Sequence, residues 1–180
     1  MALCSHRLPH ESTHVFAISA HMLNALRFFT LLLAALSLTM ESAHVLELPQ
    51  KMKYDMQMYS TVNGTLYRWF AFVGGTYQIL AILLAIVLAF TLRGHGASFR
   101  WTAVGAALLV IAFVIWLAVV QPVNVQVAHA LAADPHSGPT IWSQLRGKWE
   151  YGHAAGFVAQ LFGVSALIIS LLVRETVPSG

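Results

Sequence analysis

The feature that most constrains this chain is a series of long apolar runs without charged side chains. Trp69–Leu92, Trp101–Val120 and Tyr151–Val173 contain no Asp, Glu, Lys or Arg. About 20 apolar residues in a helix cross the roughly 30 Å hydrocarbon core of a bilayer. A helix also satisfies its backbone hydrogen bonds within one segment, which lipid requires. These runs therefore predict three membrane-spanning helices.

A fourth span is predicted near the N-terminus, although its apolar run is shorter. Phe28–Met40 is uncharged but has only 13 residues. Extending this run in both directions gives a full span that admits one arginine, two glutamates and one histidine. The predicted spans are 22–47, 68–92, 101–122 and 152–173, with polar tails at 1–21 and 175–180. The predicted fold class is all-α, a four-helix transmembrane bundle with antiparallel up-down order.

The composition supports a multi-pass integral membrane protein and excludes several functions. Hydrophobic residues make up 58% of the 180 residues and charged residues only 9%, against roughly 25% charged in soluble domains. Lys and Arg form no basic run, so nucleic acid is not a predicted partner. No nucleophile elbow, phosphate loop, dinucleotide fingerprint or Cys-x-x-Cys pair is present, which leaves serine hydrolysis, nucleotide chemistry and thiol redox without a carrier. The predicted partners are the lipid bilayer and a lipophilic small molecule; a homo-oligomer or a larger membrane complex is left open.

Polar residues gather on one side of the predicted bundle. With antiparallel spans, the first and third end on the side where the second and fourth begin. The polar residues at these ends are Glu41, His44, Glu47, Tyr67, Arg68, Gln121, Asn124, Glu150 and His153. The short turn from Arg93 to Arg100 lies on the opposite side. Its basic residues favour a cytoplasmic location for that turn and for both termini, so the polar residues would face outward.

Two stretches carry the spacing that is typical of a metal or acid–base site. Glu41, His44 and Glu47 occur at three-residue steps and therefore share one helix face. Glu150 and His153 repeat the Glu-x-x-His spacing in the fourth span. Such motifs on facing helices build carboxylate-bridged di-iron and di-manganese sites. The predicted metal ligands are His44, His153, Glu41, Glu150 and Glu47.

Several alternatives remain open at this site. A di-metal site normally takes two more glutamates from the other helices, and the available substitutes are Glu47, Asp55, Gln121, Asn124 and His129. A mononuclear site with two histidines and one carboxylate suits iron, copper or zinc. Haem held by the two histidines is a weaker alternative, and a site without metal is another. In a purely structural interpretation, Glu47 pairs with Lys51, and Glu150 pairs with Arg146 or Lys148.

Local signals concern the backbone and the aromatic side chains. Pro49 is expected to end or bend the first helix, and Pro122 to kink the end of the third. Glycines such as those in Gly152-x-x-x-Gly156 allow close helix approach.

The aromatic residues near the polar side are Tyr67, Trp69, Trp142 and Trp149. They are interpreted as an interfacial belt, with the wall of an aromatic-binding pocket as the alternative.

Three motifs resemble one known family. These are H-V-L-E-L-P-Q-K after the first span, Q-P-V-N at the end of the third and R-G-K-W-E-Y-G-H at the fourth. Together they are similar to the anthrone-oxygenase-like family of small four-span membrane proteins, many of which are grouped only as a domain of unknown function. The resemblance runs from about Leu23 to Val173. Many family members carry asparagine where this chain has His153.

The resemblance implies an oxygenase that oxidises a lipophilic aromatic or quinoid substrate with O2. On this hypothesis Glu41 or Glu150 removes a proton, and Arg146 helps to orient the substrate. His44 and His153 ligate a metal or hold an oxyanion. The predicted substrate-binding residues are Asn124, Trp149 and Tyr67. The alternative is a non-enzymatic membrane subunit that binds lipid, quinone or haem, or packs into a larger complex.

Overall fold

The computed structural model describes residues 19–173, and this part of the chain is helical without any strand. The helices are α1 (Ala20–Lys51), α2 (Met56–Thr65), α3 (Phe70–Thr91), α4 (Gly96–Ile115), α5 (Gln121–Ala133) and α6 (Gly138–Leu172). The all-α fold class is confirmed. The predicted tails at 1–21 and 175–180 lie almost entirely outside the described residues, with only residues 19–21 inside them.

Four helical segments are long and apolar enough to cross a membrane. They are Ala20–Lys51, Phe70–Thr91, Gly96–Ala133 and Pro135–Leu172. Large apolar side chains such as Phe72 and Leu172 remain exposed on the outside, at 71% and 73%. An outer surface of this kind suits contact with lipid. These four segments therefore support the prediction of a multi-pass membrane protein.

Helix α1 is longer than predicted at its C-terminal end. It begins after Ser19, whose hydroxyl accepts a hydrogen bond from the Met22 N–H at 3.3 Å, and it ends at Lys51. The expected termination at Pro49 does not occur. Proline removes one N–H, and the Met52 N–H still bonds the Leu48 carbonyl at 3.0 Å, which closes the last turn.

The third span contains a π-helical turn immediately before Pro122. Trp116–Val120 forms this turn between α4 and α5, and the Gln121 N–H bonds the Trp116 carbonyl five residues back. Pro122 has no N–H to give to the carbonyl four residues before it, so the α-helical pattern cannot continue unbroken. The expected disturbance at Pro122 therefore takes the form of one extra residue in the turn.

Helix α6 starts much earlier than the predicted fourth span. The expected loop at 134–140 shrinks to Asp134 and a 3-10 turn at Pro135–Ser137. Pro139 lies in the first turn of α6, where proline is tolerated because its N–H would have no helical partner. Glu150 and His153 therefore lie inside a long helix and do not open it, which corrects the predicted start at residue 152.

A short helix, α2, was not predicted between the first two spans. Asp55 caps it, because its carboxylate accepts a hydrogen bond from the Met58 N–H at 2.8 Å. The helix is polar on much of its surface, and only Tyr59 is buried. Asp55 is thus a helix cap and not a substitute metal ligand.

Helices α4 and α6 cross closely through small residues. A Cβ on Gly105 would lie 3.0 Å from the Gly163 carbonyl and 2.7 Å from the Leu167 side chain. Further along the same pair, the Ser98 hydroxyl donates to the Ser170 carbonyl at 3.1 Å. At the other end, Gly152 of α6 packs against the π-helical turn. At successive contacts the residue numbers rise along α4 and fall along α6, so the two helices are antiparallel.

We expect Gly105→Ala to destabilise the bundle by about 1–3 kcal/mol, because the added methyl overlaps a backbone carbonyl and a packed leucine. Reversible unfolding in mixed detergent measures the change. Gly147→Ala in α6 is the matched control, since its Cβ would meet no atom within 4 Å. That control is expected to gain about 0.5–1 kcal/mol from helix propensity. Equal stability of the two variants would contradict the close crossing.

Candidate functional site

The two Glu-x-x-His stretches meet through one contact between α1 and α6. Glu41 Oε2 lies 2.9 Å from His153 Nδ1, and His153 is only 6% exposed. A carboxylate can only accept, so Nδ1 carries the proton in this hydrogen bond. In the neutral ring this leaves Nε2 as a proton acceptor. The contact therefore forms an oriented acid–base pair.

His44 stacks directly on His153. The two ring centres are 4.1 Å apart and the ring planes differ by 24°. On its other side, His44 stacks on Tyr67 at 4.8 Å. Its Nδ1 lies 3.0 Å from the Lys51 ammonium, which can only donate. The proton of a neutral His44 ring therefore sits on Nε2, and the tautomer is opposite to that of His153.

Lys51 also belongs to this cluster, although sequence reasoning gave it only a pairing with Glu47. Its side chain is fully buried, with Nζ 3.4 Å from Glu47 Oε2 and 4.0 Å from the centre of the Tyr67 ring. The Glu47–Lys51 pair of the structural interpretation is therefore present. This pair adjoins the predicted site, because the Lys51 ammonium also bonds His44.

Trp149 is held in place by Asn124. The indole Nε1 donates to Asn124 Oδ1 at 2.8 Å, and the Asn124 amide donates in turn to Gln121 Oε1 at 3.3 Å. The indole packs edge-on against the rings of His153 and His44, at 4.3 and 5.2 Å. Asn124 thus fixes the aromatic wall around the two histidines.

Only one of the four residues predicted for the interfacial belt is exposed, as such a belt requires. Trp69 is 63% exposed, whereas Tyr67, Trp142 and Trp149 are all buried. Trp142 stacks on Tyr59 at 3.5 Å between ring centres, away from any outer surface. Tyr59 of α2 packs against both Trp142 and Trp149, a contact that sequence spacing alone did not indicate. Tyr67 and Trp149 instead belong to a pocket wall.

A cavity of about 300 Å³ opens among these side chains. The predicted site residues that line it are Glu41, His44, Tyr67, Asn124, Trp149 and His153. Further lining residues that were not predicted are Tyr59, Asn63, Phe70, Gln78, Phe113 and Trp116. Glu47, Glu150 and Arg146 do not line it. The cavity is therefore aromatic, with one carboxylate–imidazole pair in its wall.

Glu150 and Arg146 do not form the pair that the structural interpretation expected. Glu150 is fully buried, and neither of its carboxylate oxygens has a hydrogen-bond partner among residues 19–173. Arg146 donates instead to the Tyr54 carbonyl at 2.8 Å. Arg146 thus ties α6 to the loop before α2 and does not reach the cavity. His129, a suggested substitute ligand, is exposed on α5.

The arrangement fits a cofactor poorly. Within the described part of the chain, no three His, Cys, Asp or Glu side chains converge as metal ligands. An ammonium 3.0 Å from His44 also repels a cation there. Two axial haem ligands must flank the porphyrin, whereas these rings stack face to face at 4.1 Å with no room between them. Iron or copper binding stays a prediction.

Comparison with family models, curated proteins and solved structures gives no match. The likeness to the anthrone-oxygenase-like family accordingly stays a prediction that depends on the three motifs.

We expect the purified protein, supplied with haemin, to show no Soret shift typical of bis-histidine ligation, because the stacked rings cannot flank a haem iron. Visible absorption in detergent measures this. His44→Ala is the matched control and should give the same spectrum. A bis-histidine Soret band in the wild type that His44→Ala removes would contradict the stacked geometry.

Two tyrosines beside the cavity predict a loss of stability at high pH. Burial raises the pKa of Tyr59 and Tyr67 above the ordinary 10.0, and the negative charge of Glu150 near Tyr59 and of Glu47 near Tyr67 adds to this. Folding therefore favours the neutral phenols. Their contribution to stability is complete below pH of about 10 and declines above it. Unfolding measured from about pH 8 to 11 should show this decline, and Tyr59→Phe or Tyr67→Phe should reduce it.

Tyr151→Phe is the control for this pH series, because Tyr151 is 62% exposed. It should leave the decline unchanged. A decline that is the same in all three variants would remove the two buried phenols as its cause.

Proposed function

We propose that the cavity binds a flat lipophilic aromatic molecule and that the Glu41–His153 pair removes a proton from it, so that it can react with O2. The observation that carries this proposal is the 2.9 Å contact of Glu41 with His153 in the wall of an aromatic-lined cavity. An imidazole held by a carboxylate is a common general base. Aromatic walls favour a planar, apolar ligand.

The two histidines take opposite roles in this proposal. His153 accepts the proton at Nε2, and Glu41 holds the ring orientation and stabilises the imidazolium that forms. His44 offers its Nε2–H as a donor to the negatively charged peroxide oxygen that forms when O2 adds to the carbon beside the base. The buried Lys51 ammonium lies 3.0 Å from His44 Nδ1, and its positive charge stabilises that negative charge.

The reaction balances without a further electron donor. A CH₂ group next to aromatic rings loses one proton to His153, and the resulting carbanion passes its electrons to O2. A C–O bond forms and gives a hydroperoxide. The O–O bond then breaks, water leaves with the two hydrogens of the original CH₂ group, and a carbonyl remains. Carbon is oxidised and O2 is reduced, with one oxygen retained in the product.

Glu41 and Glu150 have different roles in this proposal. Glu41 lines the cavity and contacts an imidazole, so we assign it to the acid–base step. Glu150 directly follows Trp149 in the sequence but does not line the cavity. Asn124 acts on the substrate through Trp149, whose indole it holds. Arg146 does not line the cavity and bonds the Tyr54 carbonyl, so we do not assign it a contact with the substrate.

Oxygen consumption with anthrone tests the proposal. We expect His153→Gln to lower the rate by at least about 100-fold, because removing a general base costs roughly 10² to 10⁴ in rate. Glu41→Gln should also lower the rate, since it removes the negative charge that supports the imidazolium. His95→Gln is the matched control, because His95 is exposed in the loop between α3 and α4. Equal rates for His153→Gln and His95→Gln would end the catalytic assignment.

A further inference from the structure

Gln78 is a buried amide in the middle of an otherwise apolar span, and no part of the acid–base step uses it. It lies on α3, is 6% exposed and lines the cavity. Its Nε2 has no hydrogen-bond partner among the described residues. A buried N–H without a partner is costly in apolar surroundings, and polar groups within a span usually serve a ligand or another helix. This group therefore points to a ligand that accepts a hydrogen bond.

The position of Gln78 separates it from the acid–base pair. Phe70, Gly74 and Gln78 recur at four-residue steps, so they form one face of α3, and all three line the cavity. A Cβ on Gly74 would lie 3.2 Å from the Met40 side chain, next to Glu41. Gln78 lies one turn further along α3, about 6 Å deeper by helix rise. The donor and the base therefore face opposite ends of a bound molecule.

We propose that Gln78 donates a hydrogen bond to an oxygen at the inner end of the ligand, so that the cavity selects flat aromatic ketones and phenols over plain aromatic hydrocarbons. This inference rests on the proposed function for the claim that the cavity takes a flat aromatic molecule. It adds a polar contact at the end remote from the acidic C–H group. The oxygen also draws electrons from the ring system, which favours loss of the proton at the other end.

A matched pair of probes tests this selectivity. Fluorene and 9-fluorenone are flat tricyclic molecules that differ by one carbonyl oxygen in place of two hydrogens. Their binding to the detergent-solubilised protein is followed by quenching of tryptophan fluorescence, since Trp116 and Trp149 line the cavity. We expect wild type to bind fluorenone about tenfold more tightly than fluorene, which corresponds to one hydrogen bond to an otherwise unpaired group.

Gln78→Met preserves length and removes the donor. It should abolish the preference and leave fluorene affinity within about twofold, and retained fluorene binding shows that the variant is folded. Gln160→Met is the control, because Gln160 is a buried glutamine on α6 that does not line the cavity. It should keep the wild-type preference. If Gln78→Met does not bind fluorene, the infrared carbonyl stretch of fluorenone bound to wild type decides, and it should lie below that of fluorenone in detergent alone.

Three results would overturn the inference: equal wild-type affinities for the two probes, an unchanged preference in Gln78→Met, or no binding of either probe. An unshifted carbonyl stretch overturns it as well, because it leaves water as the partner of Gln78. Failure of the oxidation is a separate outcome. A Gln78-dependent preference without O2 consumption would remove the proposed reaction and keep the binding site.

Discussion

The hydrogen bond between Glu41 and His153 is the contact on which the polar interior of this bundle depends. A carboxylate and an imidazole inside an apolar bundle are costly unless each finds a partner. Here the partners lie on α1 and α6, which are far apart in sequence, so the contact can form only when these two helices are packed in register. The stacking of His44 on His153 and the position of Trp149 both follow from that register.

The surrounding charges are arranged about a single buried ammonium. Lys51 contacts His44 and Glu47 and lies over the Tyr67 ring, so its charge is met by a nitrogen acceptor, a carboxylate and an aromatic face. Aromatic faces attract cations more strongly when water is excluded. The fully buried carboxyl group of Glu150 lies close enough to interact with this charge. One cation thus organises a cluster that also supports the cavity wall.

The fold was largely predictable because apolar runs of about 20 residues have few other uses. The Glu-x-x-His spacing likewise predicted that Glu41 and His153 could meet. Lys51 was missed because a lysine at a helix end normally extends to water, whereas here the rings of Tyr67 and Trp149 cover it. The start of α6 was missed because the Pro and Gly residues at 135–139 are typical of loops, although proline also fits the first turn of a helix. Gln78 has a signal in the sequence, because it is a lone amide in the uncharged stretch Trp69–Leu92.

The π-helical turn at Trp116–Val120 sets how α5 is rotated relative to α4. The turn holds one residue more than an α-helix would, and it sets the rotation of everything that follows. Loss of a single residue there would restore ordinary α-helical spacing and leave α5 close to its present rotation, whereas an α-helical path that kept every residue would rotate α5 by roughly 100°. Asn124 would then face away from the Trp149 indole that it now holds. A one-residue deletion is therefore better tolerated within these five positions than elsewhere in the same span, whereas a substitution that makes the turn α-helical at full length is not.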